Sequence, residues 1–170
     1  LFLPLAISSQ KFGKSKRAGI DAVEYHKNNL IKISDSIWGF AEIAFQESKS
    51  FEVLANYAEK NGMKVTRGVA EIPTAFTATY GSGKPVISIL GEFDALPGLS
   101  QNIQPTKNQM TQGAQGHGCG HKLNGAASLG AAIALKEQIE KGNLSGTIKF
   151  LGTPAEEKYL AKVWMVKAGL

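Results

Sequence analysis

The order of strand-like and helical segments in the second half of the chain most constrains its fold. Residues 85–90 predict a short buried strand, and residues 98–118 lack periodicity and predict a long loop. Asn124 is suited to cap a helix over 125–141, and residues 147–152 predict another buried strand. Strand, loop, helix and strand form a βαβ unit, so we expect an α/β fold with a mostly parallel sheet flanked by helices.

The first half of the chain predicts two helices followed by two strands. Apolar residues at helical spacing indicate helices over 18–40 and 47–61, and residues 63–69 and 75–80 are typical of strands. His26 lies among polar residues of the first helix and is expected to be exposed. A length of 170 residues, 43% of them hydrophobic, suffices for one domain with a core.

The composition excludes two broad classes of function. The net charge is +5, but four of the positive charges lie within residues 11–17, so the rest of the chain is close to neutral. Basic residues are not interleaved with aromatic ones, which argues against a nucleic-acid partner. No apolar run approaches the roughly 20 residues that a membrane span needs. Cys119 is the only cysteine, so no disulfide can form within the chain.

Residues 1–17 are expected to be a leader that precedes the folded domain. Residues 1–10 are typical of the end of a secretory signal, although the basic residues that should precede the apolar stretch are absent. The alternative is a loosely packed leader. The first interpretation predicts export to the periplasm, and the second predicts a cytoplasmic protein.

The segment Gly116–His121 holds the chemistry that the sequence most clearly indicates. A cysteine thiolate and an imidazole two residues apart, Cys119 and His121, can bind one metal ion from a single loop. A lone cysteine is otherwise most often a small buried residue. His117 is open to three interpretations: a metal ligand, a donor to a ligand, or an ordinary loop histidine.

Carboxylates follow two of the predicted strands. Asp94 comes shortly after the first strand of the βαβ unit, and Glu156 and Glu157 come after the second. In open α/β sheets, sites form outside the carboxyl ends of strands. Two adjacent carboxylates can divide their roles, one binding a metal and the other accepting a proton. The alternatives are that Asp94 caps a turn before Pro97 and that the glutamate pair is a solvated surface feature.

The chain resembles a family of metal-dependent amidohydrolases and metallopeptidases. This family includes aminobenzoyl-glutamate hydrolases, carboxypeptidase G-type enzymes, aminoacylases and auxin-conjugate hydrolases, and the resemblance is greatest to the aminobenzoyl-glutamate utilization B type. It runs from about Ile20 to Leu170. The strongest matching motifs are, in order, Ile37-Trp38, Ile72–Phe76, Gly91–Ser100, Gly116–His121, Gly130–Ala134 and Gly152–Glu157.

The resemblance implies roles for individual residues. By this resemblance, Cys119, His121 and Glu157 are expected to be metal ligands. Glu156 is expected to be the general base, and Asp94 to orient and polarise a ligand. The implied cofactor is Zn²⁺ or Mn²⁺, as one or two divalent ions, in a zinc-exopeptidase-like catalytic domain.

The resemblance also implies a reaction and a domain organisation. The reaction is hydrolysis of an amide bond in an N-acyl amino acid or a related conjugate, such as aminobenzoyl-glutamate. Residues 18–170 are expected to be the N-terminal part of the catalytic domain, without the family's inserted dimerisation domain and C-terminal half. The full-length protein is expected to be a homo-oligomer, with no nucleic-acid or membrane partner, and the 170 residues alone are expected to be inactive.

Two positions depart from the family pattern. Lys122 stands where the family usually has Asn or Asp, and a divalent ion repels an ammonium group unless that group points away. Residues 158–161 replace a glycine-rich turn, which leaves the substrate preference near them open. Two competing hypotheses are a truncated, non-catalytic module with structural Cys119 and His121, and a redox-sensing cysteine in an electropositive loop.

Overall fold

The computed structural model describes residues 13–170. The elements follow in the order α1 (Lys14–Phe40), α2 (Ser48–Lys60), β1 (Lys64–Arg67), a 3₁₀ turn (Val69–Glu71), β2 (Phe76–Ser82), β3 (Val86–Gly91), α3 (His121–Glu140), β4 (Gly146–Gly152), α4 (Glu156–Tyr159) and α5 (Ala161–Lys167). Of the predicted leader at 1–17, residues 1–12 lie outside the described residues, and α1 begins within the remainder. Within residues 13–170, no helix has the length and apolar character needed to cross a membrane.

The sheet has the strand order β1-β2-β4-β3. β3 and β4 are parallel and are joined through α3, as the predicted βαβ unit requires, whereas β1–β2 and β2–β4 are antiparallel. The α/β class with flanking helices is therefore confirmed, but the sheet is mixed, and parallel pairing is confined to one pair. The short connections at 68–75 and 83–85 each reverse the chain direction, so β1, β2 and β3 alternate in direction. The long connection through α3 returns the chain to the end of the sheet where β3 began, so β4 runs parallel to β3.

β3 occupies an edge of the sheet. Its residues Val86, Ile87 and Leu90 are exposed, so the prediction of a buried strand here was wrong in burial although right in position. A run of apolar residues predicts that a segment forms a β-strand. It does not predict whether other elements cover both faces of the sheet at that strand. β4 lies between β2 and β3, and its Ile148 and Phe150 are buried as predicted.

The main core includes three aromatic rings from β2, β4 and the segment after β3. Phe76 packs against Phe150 and Phe93, with ring centroids 5.5 and 6.4 Å apart. Leu129 and Ile133 of α3 complete this cluster, and all five side chains are fully buried. Because Phe93 is buried, the chain that follows β3 is held against the core, and that fixes the position of its neighbours.

Helices α1 and α3 pack closely against each other. A Cβ atom at position 130 would lie 2.5 Å from Leu30 Cδ1, so any larger residue there would displace the Leu30 side chain. His26 of α1 is buried, and its ring nitrogens lie 2.7 Å from Tyr57 Oη and 2.8 Å from Glu137 Oε1. The prediction of an exposed His26 was wrong, because its polar partners are supplied by α2 and α3 rather than by sequence neighbours.

Candidate metal centre

His121 is the first residue of α3 and lies at the middle of the candidate site. The helix begins four residues before the predicted start, because Gly120 adopts φ 90° and turns the loop directly into the helix. Asn124 is therefore inside the helix, where its Oδ1 accepts a hydrogen bond from the Glu92 N–H at 2.8 Å. The ring of His121 is buried, and its orientation is set by contacts from outside the helix.

Asp94 links His121 to the glutamate pair. Its carboxylate is fully buried, and Oδ1 lies 2.8 Å from Nδ1 of His121. Oδ2 accepts a hydrogen bond from the Glu157 N–H at 2.9 Å. The hydrogen bond to Asp94 is the largest cause of a raised His121 pKa. With the Nδ1 proton donated to Asp94, Nε2 is the nitrogen that faces the remaining groups.

Glu156 and Glu157 open the short helix α4, just beyond the carboxyl end of β4. Glu156 Oε2 and Glu157 Oε1 each lie 3.8 Å from His121 Nε2. Glu157 Oε1 is buried and has no hydrogen-bond partner among the described residues. The pair therefore faces the site, contrary to the alternative of a solvated surface feature.

Cys119 completes the first group of candidate ligands. One donor atom from each of Cys119, His121 and Glu157 lies within 4.8 Å of the other two. The Cys119 thiol is exposed, so it is not a buried packing residue. Hydrogen bonding to Glu157, followed by smaller effects of burial and neighbouring carboxylates, raises the pKa of this thiol. The hypothesis of a redox-sensing cysteine required electropositive surroundings, and the surroundings are electronegative.

Glu92 was not assigned a role from the sequence, although it stands two residues before Asp94. Its Oε2 lies 3.2 Å from His121 Nε2, and its other oxygen pairs with Lys162 Nζ. Glu92, His121 and Glu156 form a second group of donor atoms within 4.8 Å of one another. Side chains alternate between the two sides of an extended segment, so residues 92 and 94 lie on the same side after β3. This spacing could have indicated Glu92 from the sequence.

His117 and Lys122, on either side of the Cys119–His121 pair, both contact residues of α1. His117 Nε2 donates to the Ile37 carbonyl oxygen at 3.0 Å, and burial lowers the pKa of this histidine. Lys122 Nζ lies 5.6 Å from the centre of the Trp38 ring, and no salt bridge joins it to a carboxylate among residues 13–170. The Lys122 side chain therefore packs against Trp38 of α1.

Comparison with known proteins finds similarity to one peptidase family. Residues 89–170 match the model of Peptidase family M20/M25/M40. The chain is 47% identical over 153 residues to a protein of Escherichia coli that forms part of p-aminobenzoyl-glutamate hydrolase, a match that covers 88% of this chain and 31% of that protein. Over the segment that holds the candidate site, the chain is similar to M20-family peptidases.

Other proteins match over most of this chain. Thermostable carboxypeptidase 1 of Saccharolobus solfataricus is 30% identical, over 81% of this chain and 36% of that protein. A Bacillus subtilis structure described as a dinuclear metal-binding peptidase of family M20 is 26% identical, with a TM-score of 0.72 over 86% of this chain and 40% of that one. A putative aminohydrolase from methicillin-resistant Staphylococcus aureus has a TM-score of 0.75 at 25% identity, over 90% of this chain and 39% of that one. The chain spans about a third of the length of the curated relatives it matches.

Proposed function

We propose that this chain contributes a divalent metal centre to an amide-bond hydrolase. Cys119, His121 and Glu157 are the proposed ligands, Glu156 the general base, and Asp94 the residue that orients His121. The observation that carries the proposal is the convergence of both glutamates on His121 Nε2, while Asp94 occupies the opposite nitrogen of the same ring.

The donor set fits a divalent cation in three respects. Thiolate sulfur, imidazole nitrogen and carboxylate oxygen are ligands that Zn²⁺ and its neighbours accept, with Mn²⁺ favouring the carboxylates. Glu157 Oε1 is buried without a hydrogen-bond partner among the described residues, which is costly for a carboxylate unless a cation or donor meets it. The negative charges of several carboxylates at this site outnumber the positive charge of Lys162, and His121 is the only histidine among them. A divalent cation would therefore be stabilised here.

The choice between one and two ions depends on how the two donor groups share His121. Both groups include His121, whose Nδ1 is occupied by Asp94, so they must share Nε2, which has one lone pair and can bind only one ion. We assign this nitrogen to the ion held by Cys119 and Glu157. A second ion would then need donors other than His121, and we propose Zn²⁺ or Mn²⁺ in either case.

The proposed chemistry divides the work between the glutamates. When bound, the cation supplies Lewis acidity that polarises the amide carbonyl and acidifies water. Glu156 accepts the proton released by that water and returns it to the leaving amine nitrogen. Asp94 keeps the Nδ1 proton of His121 in place, so Nε2 stays free of a proton when it binds the cation.

The proposed substrate class is an amide of an N-acyl amino acid or a related conjugate. The names of the relatives support it, since they describe part of a p-aminobenzoyl-glutamate hydrolase and a carboxypeptidase. Because the chain spans about a third of such proteins, we assign the activity to a longer polypeptide. We propose that this polypeptide is a homo-oligomer and that residues 18–170 are the N-terminal part of its catalytic domain.

A metal titration with paired variants tests the proposal. Zn²⁺ and Mn²⁺ binding is measured by calorimetry in the wild-type chain, in Cys119→Ser and in Glu157→Gln. We expect both variants to bind at least about tenfold more weakly, because each loses a ligand. Wild-type binding that both substitutions leave unchanged would show that these residues do not hold the ion.

Activity is tested separately, in the longest natural polypeptide that contains this sequence. N-acyl amino acids and p-aminobenzoyl-glutamate are supplied as substrates, before and after treatment with a chelator. We expect hydrolysis that the chelator abolishes and that added Zn²⁺ or Mn²⁺ restores. Hydrolysis that persists in the metal-depleted protein would contradict a metal-dependent mechanism.

A further inference from the structure

Glu47 is a fully buried carboxylate that contacts the turn preceding the glutamate pair. It precedes α2, and its side chain reaches residues that are distant in sequence. Oε1 accepts a hydrogen bond from the Ala155 N–H at 2.8 Å, and Oε2 accepts one from Thr74 Oγ1 at 3.2 Å. The carboxylate therefore ties the start of α2 to the turn that follows β4.

The turn that Glu47 holds decides where the glutamate pair points. Ala155 is fully buried and has φ 55°, a left-handed conformation that a non-glycine residue rarely adopts. Glu156 and Glu157 follow directly, so the conformation of Ala155 sets the direction in which α4 leaves β4. Without Glu47, the buried Ala155 N–H would lose its hydrogen-bond acceptor, and this left-handed turn would lose its support.

Two buried carboxylates hold the start of α4. Glu47 accepts the Ala155 N–H, and Asp94 accepts the Glu157 N–H. Asp94 is also the charged neighbour whose repulsion adds to the effect of burial on Glu47. A buried carboxylate close to a second carboxylate is unfavourable for folding. We therefore infer that Glu47 has a role other than stabilising the fold.

We propose that Glu47 is a positioning residue, which holds the Ala155 turn so that Glu156 and Glu157 meet His121 in the geometry that binds metal. The proposal rests on the proposed function, because the roles of the two glutamates are assigned there. It adds a residue that touches neither the metal donors nor the reacting atoms. Its effect is exerted through one backbone N–H.

Glu42 provides a matched control on the same segment. Its carboxylate accepts hydrogen bonds from the Ser50 N–H, the Lys49 N–H and Ser50 Oγ, and so anchors the first turn of α2. Glu42→Ala removes a comparable set of hydrogen bonds five residues away without touching Ala155. A general loosening of this segment would affect both variants, whereas loss of the Ala155 tie would affect only Glu47 variants.

The first measurement is hydrogen exchange in the full chain without metal. We expect Glu47→Ala to speed exchange of the amides at 155–160, and Glu42→Ala to speed exchange at 48–52 instead. This result does not depend on whether the site binds a cation. Unchanged exchange at 155–160 in folded Glu47→Ala would overturn the proposal, whatever becomes of the proposed function.

The second measurement is calorimetric binding of Zn²⁺ alone to the same variants. We expect Glu47→Ala to weaken binding by about tenfold or more, and Glu42→Ala to bind as the wild type does. Glu47→Gln should restore binding to within about twofold, because its amide oxygen accepts the Ala155 N–H and its NH₂ group donates to Thr74. Equal losses in Glu47→Ala and Glu42→Ala, or no recovery in Glu47→Gln, would overturn the proposal.

Glu47→Asp replaces Glu47→Ala if the alanine variant does not fold. It keeps the charge but is one methylene shorter, so it cannot reach both partners, and we expect the same weakening of Zn²⁺ binding. Wild-type affinity in folded Glu47→Asp would overturn the positioning role. If the wild-type chain itself binds no Zn²⁺, the proposed function fails, and hydrogen exchange alone decides whether Glu47 holds the turn.

Discussion

Asp94 Oδ1 lies 2.8 Å from His121 Nδ1, and both side chains are buried. This contact joins the segment after β3 to the first residue of α3, and so brings the Cys-Gly-His loop to the carboxyl ends of the parallel strands. Asp94 also accepts the Glu157 N–H, which makes it the residue through which all three candidate segments meet.

Asp94→Asn tests this contact directly. The amide oxygen can still accept one hydrogen bond, but the NH₂ group cannot accept the other, so either His121 or the Glu157 N–H loses its partner. We expect metal affinity to fall by about 10- to 100-fold, measured by calorimetry. Asp35→Asn, on an exposed part of α1, is the control. Wild-type affinity in Asp94→Asn would show that the orienting role is wrong.

In the longest natural polypeptide that contains this chain, His121→Ala is expected to remove metal as well as turnover, because His121 is common to both groups of candidate ligands. Metal content is measured by mass spectrometry of the purified protein. His117→Gln is the matched control, since His117 donates to the Ile37 carbonyl and belongs to neither group. An inactive His121→Ala protein with full metal content would mean that this residue is not a ligand.

Glu156→Gln and Glu157→Gln should separate proton transfer from metal binding. Glu156→Gln keeps its shape but cannot accept a proton, so we expect kcat to fall by roughly 10² or more with metal retained. Glu157→Gln should instead weaken metal binding. The two are compared by turnover and metal content in the longest natural polypeptide containing this chain, and the opposite pattern would mean that their roles are exchanged.

Glu47→Gln should reduce the dependence of stability on pH. Burial raises the pKa of Glu47 to about 7 from 4.5, so the folded protein holds this proton more tightly than the unfolded chain does. The unfolding free energy of the wild type should therefore decrease from pH 4.5 to pH 7 by up to about 3 kcal/mol through this group alone.

Urea unfolding at pH 4.5, 5.5, 7 and 8 measures this effect as the difference between the wild type and Glu47→Gln. Other titrating groups are common to both proteins and cancel in that difference. We expect the two curves to converge toward low pH and to separate as pH rises, with the variant relatively more stable above pH 7. Parallel curves would contradict a raised Glu47 pKa.

Lys122→Asn should leave metal affinity within about twofold of the wild type, because the Lys122 ammonium makes a cation–π contact with Trp38 and none with the donor groups. Loss of this cation–π contact should lower the unfolding free energy by about 0.5–1 kcal/mol, measured by urea unfolding. A large gain in metal affinity would show that Lys122 repels the ion after all.

The local sequence determined much of what is observed at the site. Spacing and residue type identified Cys119, His121, Asp94 and the glutamate pair as candidates, and the βαβ pattern predicted the parallel pairing of β3 and β4. These features depend on residues close together in the chain, where side-chain periodicity and strand-to-helix order reflect local backbone geometry.

Only the tertiary structure decided which side chains are buried and which groups meet. Glu47 reaches Ala155 across 108 residues of chain, and His26 reaches Glu137 across 111, so no local pattern could reveal either contact. The exposure of β3 likewise depends on which strand takes the sheet edge. Burial and long-range hydrogen bonds arise from packing between elements, because a polar side chain in the interior needs partners that sequence neighbours rarely supply.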